Sequence, residues 1–194
     1  MTGLGRLHWV GAALVALVLL GAATVIDGWL PTENEDPGSA PFVTSADLGE
    51  RVELRTMSVR VDSVRGSRVL DNAGSELRSP GLWVLLEFTV VATDENTAVG
   101  FIELRDDADR MWSEGGRNSS TCLGGPPGVP AGCVAYFEVP PDALDSLRVR
   151  LARNGLDERS DDMAEVDLGL TDEDAAAFAI APALEVPDTS LGAG

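Results

Sequence analysis

Along the chain the apolar positions change rhythm, and each rhythm predicts a different kind of structure. From Trp9 to Ile26 they run without a charge; from Pro31 to Pro41 (PTENEDPGSAP) they almost vanish; from Arg51 onward they recur at about every second residue. A period of two is the mark of half-buried strands. Val52, Leu54, Met57, Val59, Val61 and Val64 stand against Arg55, Arg60 and Asp62, which predicts a strand pair, or one bent strand, with one side solvated. The stretch Gly81 to Ala92, GLWVLLEFTVVA, is interrupted only by Glu87 and Thr89 and is rich in β-branched and aromatic residues. Apolar on both faces, it predicts the central strand around which the others pack.

Shorter strands follow. Phe101 to Leu104 and Met111-Trp112 predict a hairpin across the loop Asp106-Asp107-Ala108-Asp109. Cys133 to Val139 is ended by Pro140-Pro141, Leu147 to Leu151 alternates, Asn154-Gly155 turns, and Ala164 to Leu168 makes a last short strand. Arg65 to Pro80 and Ser113 to Ala131, polar or rich in Gly and Pro, read as connections. Short strands with turn signals about every ten residues predict an all-β domain, a sandwich or a barrel. Thr171, with Asp174 three residues on, predicts a capped short helix from Asp172 to Ala181, stopped by Pro182 and followed by a loose tail.

The unbroken run at the start is a membrane segment by length: about eighteen residues at about 1.5 Å each reach roughly 27 Å, close to a bilayer core. Trp9 and Trp29 bracket it, and Arg6 before it against Asp27, Glu33, Glu35 and Asp36 after it sets the amino terminus inside. An uncleaved anchor explains the length and the second Trp; a signal peptide cleaved after Ala23, at Gly21-Ala22-Ala23, is the other reading. Either way, everything from Asp27 on lies outside the cytoplasm. The expected organisation is a transmembrane anchor or signal peptide over 1–30, an acidic Pro/Gly linker over 31–44, a sandwich over 45–170, and a short helix with a flexible tail over 171–194.

Composition narrows the function. The chain has 32 acidic residues against 14 basic ones, all Arg, for a net charge of −18. Phosphate backbones would repel such a surface, so nucleic-acid binding is excluded. His8 is the sole histidine and lies before the apolar segment, and Lys is absent, which removes Ser-His, Cys-His and Ser-Lys nucleophiles, Schiff bases and the common zinc sites. A carboxylate pair is the remaining catalytic option. Only Glu87 and Glu138 lie in apolar surroundings, and such residues are more often outward-facing strand positions. The expectation is therefore no enzyme, no catalytic residue, no cofactor and no bound metal.

Other residues carry a structural reading beside a chemical one. Cys122 and Cys133, the only cysteines, are expected to form a disulfide closing a loop of about eleven residues, since both lie outside the cytoplasm and are spaced far from C-x-x-C. Asp106, Asp107 and Asp109 are hard oxygen ligands suited to calcium, but they depart from the D-x-[DN]-x-[DN]-G loop and read more simply as a solvated face. Trp83 and Trp112 read as core aromatics before sugar platforms.

The two-sided strand at Gly81 to Ala92, Leu104-Arg105-Asp106-Asp107 before Trp112, and Pro130-Ala131-Gly132 leading to Phe137-Glu138-Val139-Pro140 together resemble the telokin-like, immunoglobulin-like family of secreted or anchored bacterial domains of unknown function. The resemblance covers roughly Ser45 to Arg153. It implies an extracytoplasmic immunoglobulin-like β-sandwich and carries no catalytic residues. The combined expectation is an anchored, non-catalytic module that touches the membrane through its first helix and binds an envelope protein. The alternative is a small-molecule, glycan or calcium-binding module at the cell surface. A protein partner calls for an exposed apolar patch or an unpaired sheet edge, a small ligand for a concave pocket with convergent polar groups.

Overall fold

The structure, a computed structural model, describes residues 41–122, 124–153 and 162–192. The apolar run Trp9 to Ile26, the linker before Pro41 and the Asn154-Gly155 turn lie outside the described residues, among which no helix is long and apolar enough to cross a membrane.

The strands are β1 (Phe42–Asp47), β2 (Arg51–Glu53), β3 (Met57–Asn72), β4 (Ser75–Ala92), β5 (Phe101–Arg105), β6 (Met111–Ser113), β7 (Ser119–Thr121), β8 (Pro130–Val139), β9 (Arg148–Ala152), β10 (Asp162–Asp167), β11 (Leu184–Glu185) and β12 (Ser190–Leu191). Among the described residues a helix, α1 (Asp172–Ile180), and a 3-10 turn (Pro141–Ser146) complete them. They form a β-sandwich. The first sheet runs β1-β10-β9-β5-β6; the second runs β11-β3-β4-β8-β12, with β2 also on β3 and β7 also on β8. Inward residues of both sheets, among them Val59, Val61, Leu86, Phe88, Leu104, Phe137, Leu151 and Val166, bury one apolar core. At roughly 25 cal/mol per Å² of apolar surface, that core is the main source of stability.

The central strand falls as its pattern predicts, between β3 and β8. Its second apolar face is covered in an unexpected way. The polar stretch Arg65 to Pro80 is not a connection: β3 and β4 continue through it to a tight turn, where Ala73 (φ 51°) and Gly74 (φ 85°) supply the left-handed pair that a two-residue hairpin needs. A register break opposes Ser67–Val69 to Trp83–Arg78, so the far end of the hairpin departs from the regular ladder. There Leu70 joins Trp83, Leu85, Val134 and Leu184 in a second, smaller apolar cluster, with Leu77, Tyr136 and Val186 at its rim.

The tail is likewise not loose. Thr171 and Asp174 make the expected capping box. The helix they start lies over Gly66, where a Cβ would stand 2.0 Å from the Phe178 ring. Beyond it, β11 pairs with Leu70-Asp71 and β12 with Ala131-Gly132. Both edges of the second sheet carry short added strands, β2 and β11 along β3 and β7 and β12 along β8, while α1 packs on the face of β3 at Gly66.

Candidate functional site

The acidic loop after β5 is a structural knot. Asp106 is buried, and its carboxylate accepts from the N–H groups of Ala108 and Arg110 and from Arg110 Nε at 2.6 Å. Burial alone would raise its pKa; the Arg110 side-chain and backbone hydrogen bonds, the Arg110 charge and the Ala108 N–H outweigh burial and hold the carboxyl below its ordinary value. Asp107 takes Arg148 at 2.7 Å and Asp109 takes Arg105 at 2.7 Å. The three carboxylates thus turn to three different arginines, and Asp106 is not on the solvated face its neighbours suggested. Among the described residues no group of three or more His, Cys, Asp or Glu converges as a metal site.

Glu87 and Glu138 both face cations. Glu87 pairs with Arg65 at 2.7 Å, and Glu138 is held by Arg117 at 2.8 Å. Arg117 also stacks 4.8 Å from the Trp83 ring centroid and donates to the Arg78 carbonyl at 2.6 Å. Trp83 itself, fully buried, donates from its indole to the Leu77 carbonyl at 2.8 Å. This clamp pins the far end of the hairpin to the sheet, and Trp83 is no platform for a sugar. Trp112 is half-buried against the core with Arg110 5.7 Å from its ring centroid. Cys122 and Cys133 are joined in a disulfide, tying the loop after β7 to β8.

Among the described residues, what stays open is β1. It lies at the end of the first sheet, parallel to β10, in register from Phe42 opposite Asp162 to Asp47 opposite Asp167. Nothing among the described residues pairs with its other edge. Phe42 is 66% and Val43 43% exposed. The N–H and C=O of Asp47 are engaged by Glu50 across the turn to β2, at 3.1 and 3.0 Å. Backbone direction alternates along a strand, so Val43 and Ser45 present their N–H and C=O groups the same way, away from β10. This edge carries no period-two signal in the sequence, because its partner lies about 120 residues later and its composition continues that of the linker.

Beside β1, on the outer face of the first sheet, Ser45, Asp47, Glu50, Arg148, Glu165 and Asp167 line a groove of about 330 Å³. Its cation is already spoken for: Arg148 holds Asp107, and that hydrogen bond, together with the nearby charges of Asp107, Glu165 and Asp167, raises its pKa despite burial. Glu165 pairs with Arg150 at 2.7 Å. Asp47 and Asp167, directly opposite each other in the ladder, have no ion-pair partner among the described residues, nor has Glu50. Like charges directly opposite cost stability, by up to about 1 kcal/mol.

No protein-family model and no curated protein sequence matches the chain. Among solved structures it is similar to an uncharacterized β-sandwich protein from Clostridium difficile 630, at 10% identity and a TM-score of 0.43 over 66% of this chain and 95% of that one. It is also similar to the yjhA protein from Bacillus subtilis, at 16% identity and a TM-score of 0.45 over 62% of this chain and 99% of that one.

Proposed function

We propose that the chain is an immunoglobulin-like, non-catalytic protein-interaction module of the cell envelope, held outside the cytoplasm by its amino-terminal apolar segment. The strand order supports the immunoglobulin-like reading. β3-β4-β8-β7 facing β10-β9-β5-β6 follows the A-B-E-D and G-F-C order of that fold, with β6 beside β5 as an added strand. The disulfide supports an oxidising compartment. It does not span the two sheets as the B–F bridge of antibody domains does, since Cys133 lies on β8 and Cys122 just after β7.

The observation that carries the interaction reading is the free edge of β1. Among the described residues the N–H and C=O groups of Val43 and Ser45 on this edge are unpaired, and with exposed Phe42 and Val43 they make a template for a further strand. Natural sandwiches blunt such edges, and among the described residues the other edges here are blunt: β6 is only three residues long, and the second sheet is flanked on both sides by strands of two or three residues. A photo-crosslinking residue at position 45 in intact cells is expected to capture a defined envelope protein, and the same residue at position 120, on the covered side, to capture none. Equal capture from both positions, or none from position 45, contradicts the reading. Protease added to intact cells should digest the domain; protection until lysis would contradict its location.

A further inference from the structure

We propose that the occupant of the β1 edge is an extended basic segment of a partner protein, which adds as a strand along Phe42–Ala46 and places a Lys or Arg beside Asp47 and Asp167. The inference rests on β1 being a docking edge and adds what docks there. Side chains of an added strand alternate in step with those of β1. On the outer face β1 presents Val43, Ser45 and Asp47, so the incoming strand is read at every second residue: apolar, hydrogen-bonding, basic.

Charge decides the occupant. Asp47, Asp167 and Glu50 share one groove with a single arginine, Arg148, which stands opposite Asp167 but makes its ion pair with Asp107, so the carboxylates outnumber the cation. A basic side chain arriving there relieves the Asp47–Asp167 repulsion and gains charge-assisted hydrogen bonds. A second copy of this chain carries the same strongly negative net charge and would be repelled. The chain's own linker, with Glu33, Glu35 and Asp36, is acidic as well. With Arg6 set aside, 13 basic against 32 acidic side chains give a net −19 from Asp27 on, a field that attracts a basic partner from a distance.

The test uses the full-length protein in detergent micelles and a blocked peptide, RTTTVTTTR, whose pattern reads alike in both directions. Amide shifts of Val43 and Ser45 are followed by NMR. Saturable shifts at β1 are expected, lost when both Arg are replaced by Glu and lost when alternate peptide amides are N-methylated. Affinity is expected to fall about tenfold in the Asp47→Asn, Asp167→Asn double variant. Equal binding of the N-methylated peptide would mean attraction without strand pairing and would sink both the edge and its occupant. Equal binding of TTTTVTTTT at β1 would leave the edge standing and overturn the basic assignment. No shift with any peptide overturns the occupant; if Ser45→Pro then abolishes a concentration-dependent dimer, the edge belongs to a second copy instead.

Discussion

The two sheets treat their outer surfaces in opposite ways. The second sheet carries a further apolar cluster around Trp83 on its outside and covers it with the far end of its own hairpin and the chain's tail; the first sheet carries a ladder of charges and leaves β1 uncovered. Around the cluster polar groups are tied to one another: Trp83 donates to Leu77, Asn72 to Tyr136 at 3.0 Å, and Arg117 ties Glu138 to Arg78. In the ladder of the first sheet Glu103, Arg150 and Glu165 alternate in sign across β5, β9 and β10, whereas Asp167, with Arg148 opposite it on β9, meets the like-charged Asp47 on β1. Where a fold closes one surface so thoroughly and leaves another frustrated, the frustrated one is the place to look for function.

Substitutions should separate the two surfaces. The largest effect is expected at Trp83→Ala, about 3 to 5 kcal/mol of lost stability, because the cavity opens under the hairpin and leaves the Leu77 carbonyl unpaired. Urea unfolding measures it; a loss below about 1 kcal/mol would mean the outer cluster is ornament. Next is Cys122→Ser, expected to cost about 2.5 to 3 kcal/mol for an eleven-residue loop while the sandwich still folds.

Asp106→Asn should be smaller and dependent on pH. The Asp106 pKa is lowered in the fold, so its contribution is complete above the ordinary carboxylate value of about 4 and disappears as pH falls through the lower folded value. The melting-temperature gap between wild type and Asp106→Asn should therefore be constant near neutrality and narrow in acid. A gap independent of pH would mean that shape rather than charge holds the loop. The smallest effect has the opposite sign. Asp47→Asn should raise stability by a few tenths of a kcal/mol by relieving the like-charge pair, while weakening partner binding, the trade expected of a residue kept for function.

Much of this was legible in the chain. The two-sided run at Gly81 to Ala92, the alternation of Leu147 to Leu151 and the Thr171–Asp174 cap were readable because each depends on neighbours in sequence. What was not readable depends on distant partners. Residues 65–72 look like a connection because β3 turns polar where it leaves the main core, and only Leu70 and the clamp at Arg117 show why it stays ordered. Two-residue strands such as β11 and β12 have no period to detect. Asp106 looks like its exposed neighbours until Arg110 folds back on it. The β1 edge is defined by what does not pair with it, which no local pattern records.

The difference between the sheets is tested most directly by native-state hydrogen exchange in the free protein. The amides of Val43 and Ser45 are expected to exchange at rates near those of an unstructured chain, while those of Ser58 to Arg60 and Val134 to Tyr136, on stretches paired with β2 and β7, are expected to be protected by several orders of magnitude. Protection at Val43 and Ser45 equal to that of β3 and β8 would mean that β1 is already covered in the free chain, and the claim of an open edge would be wrong.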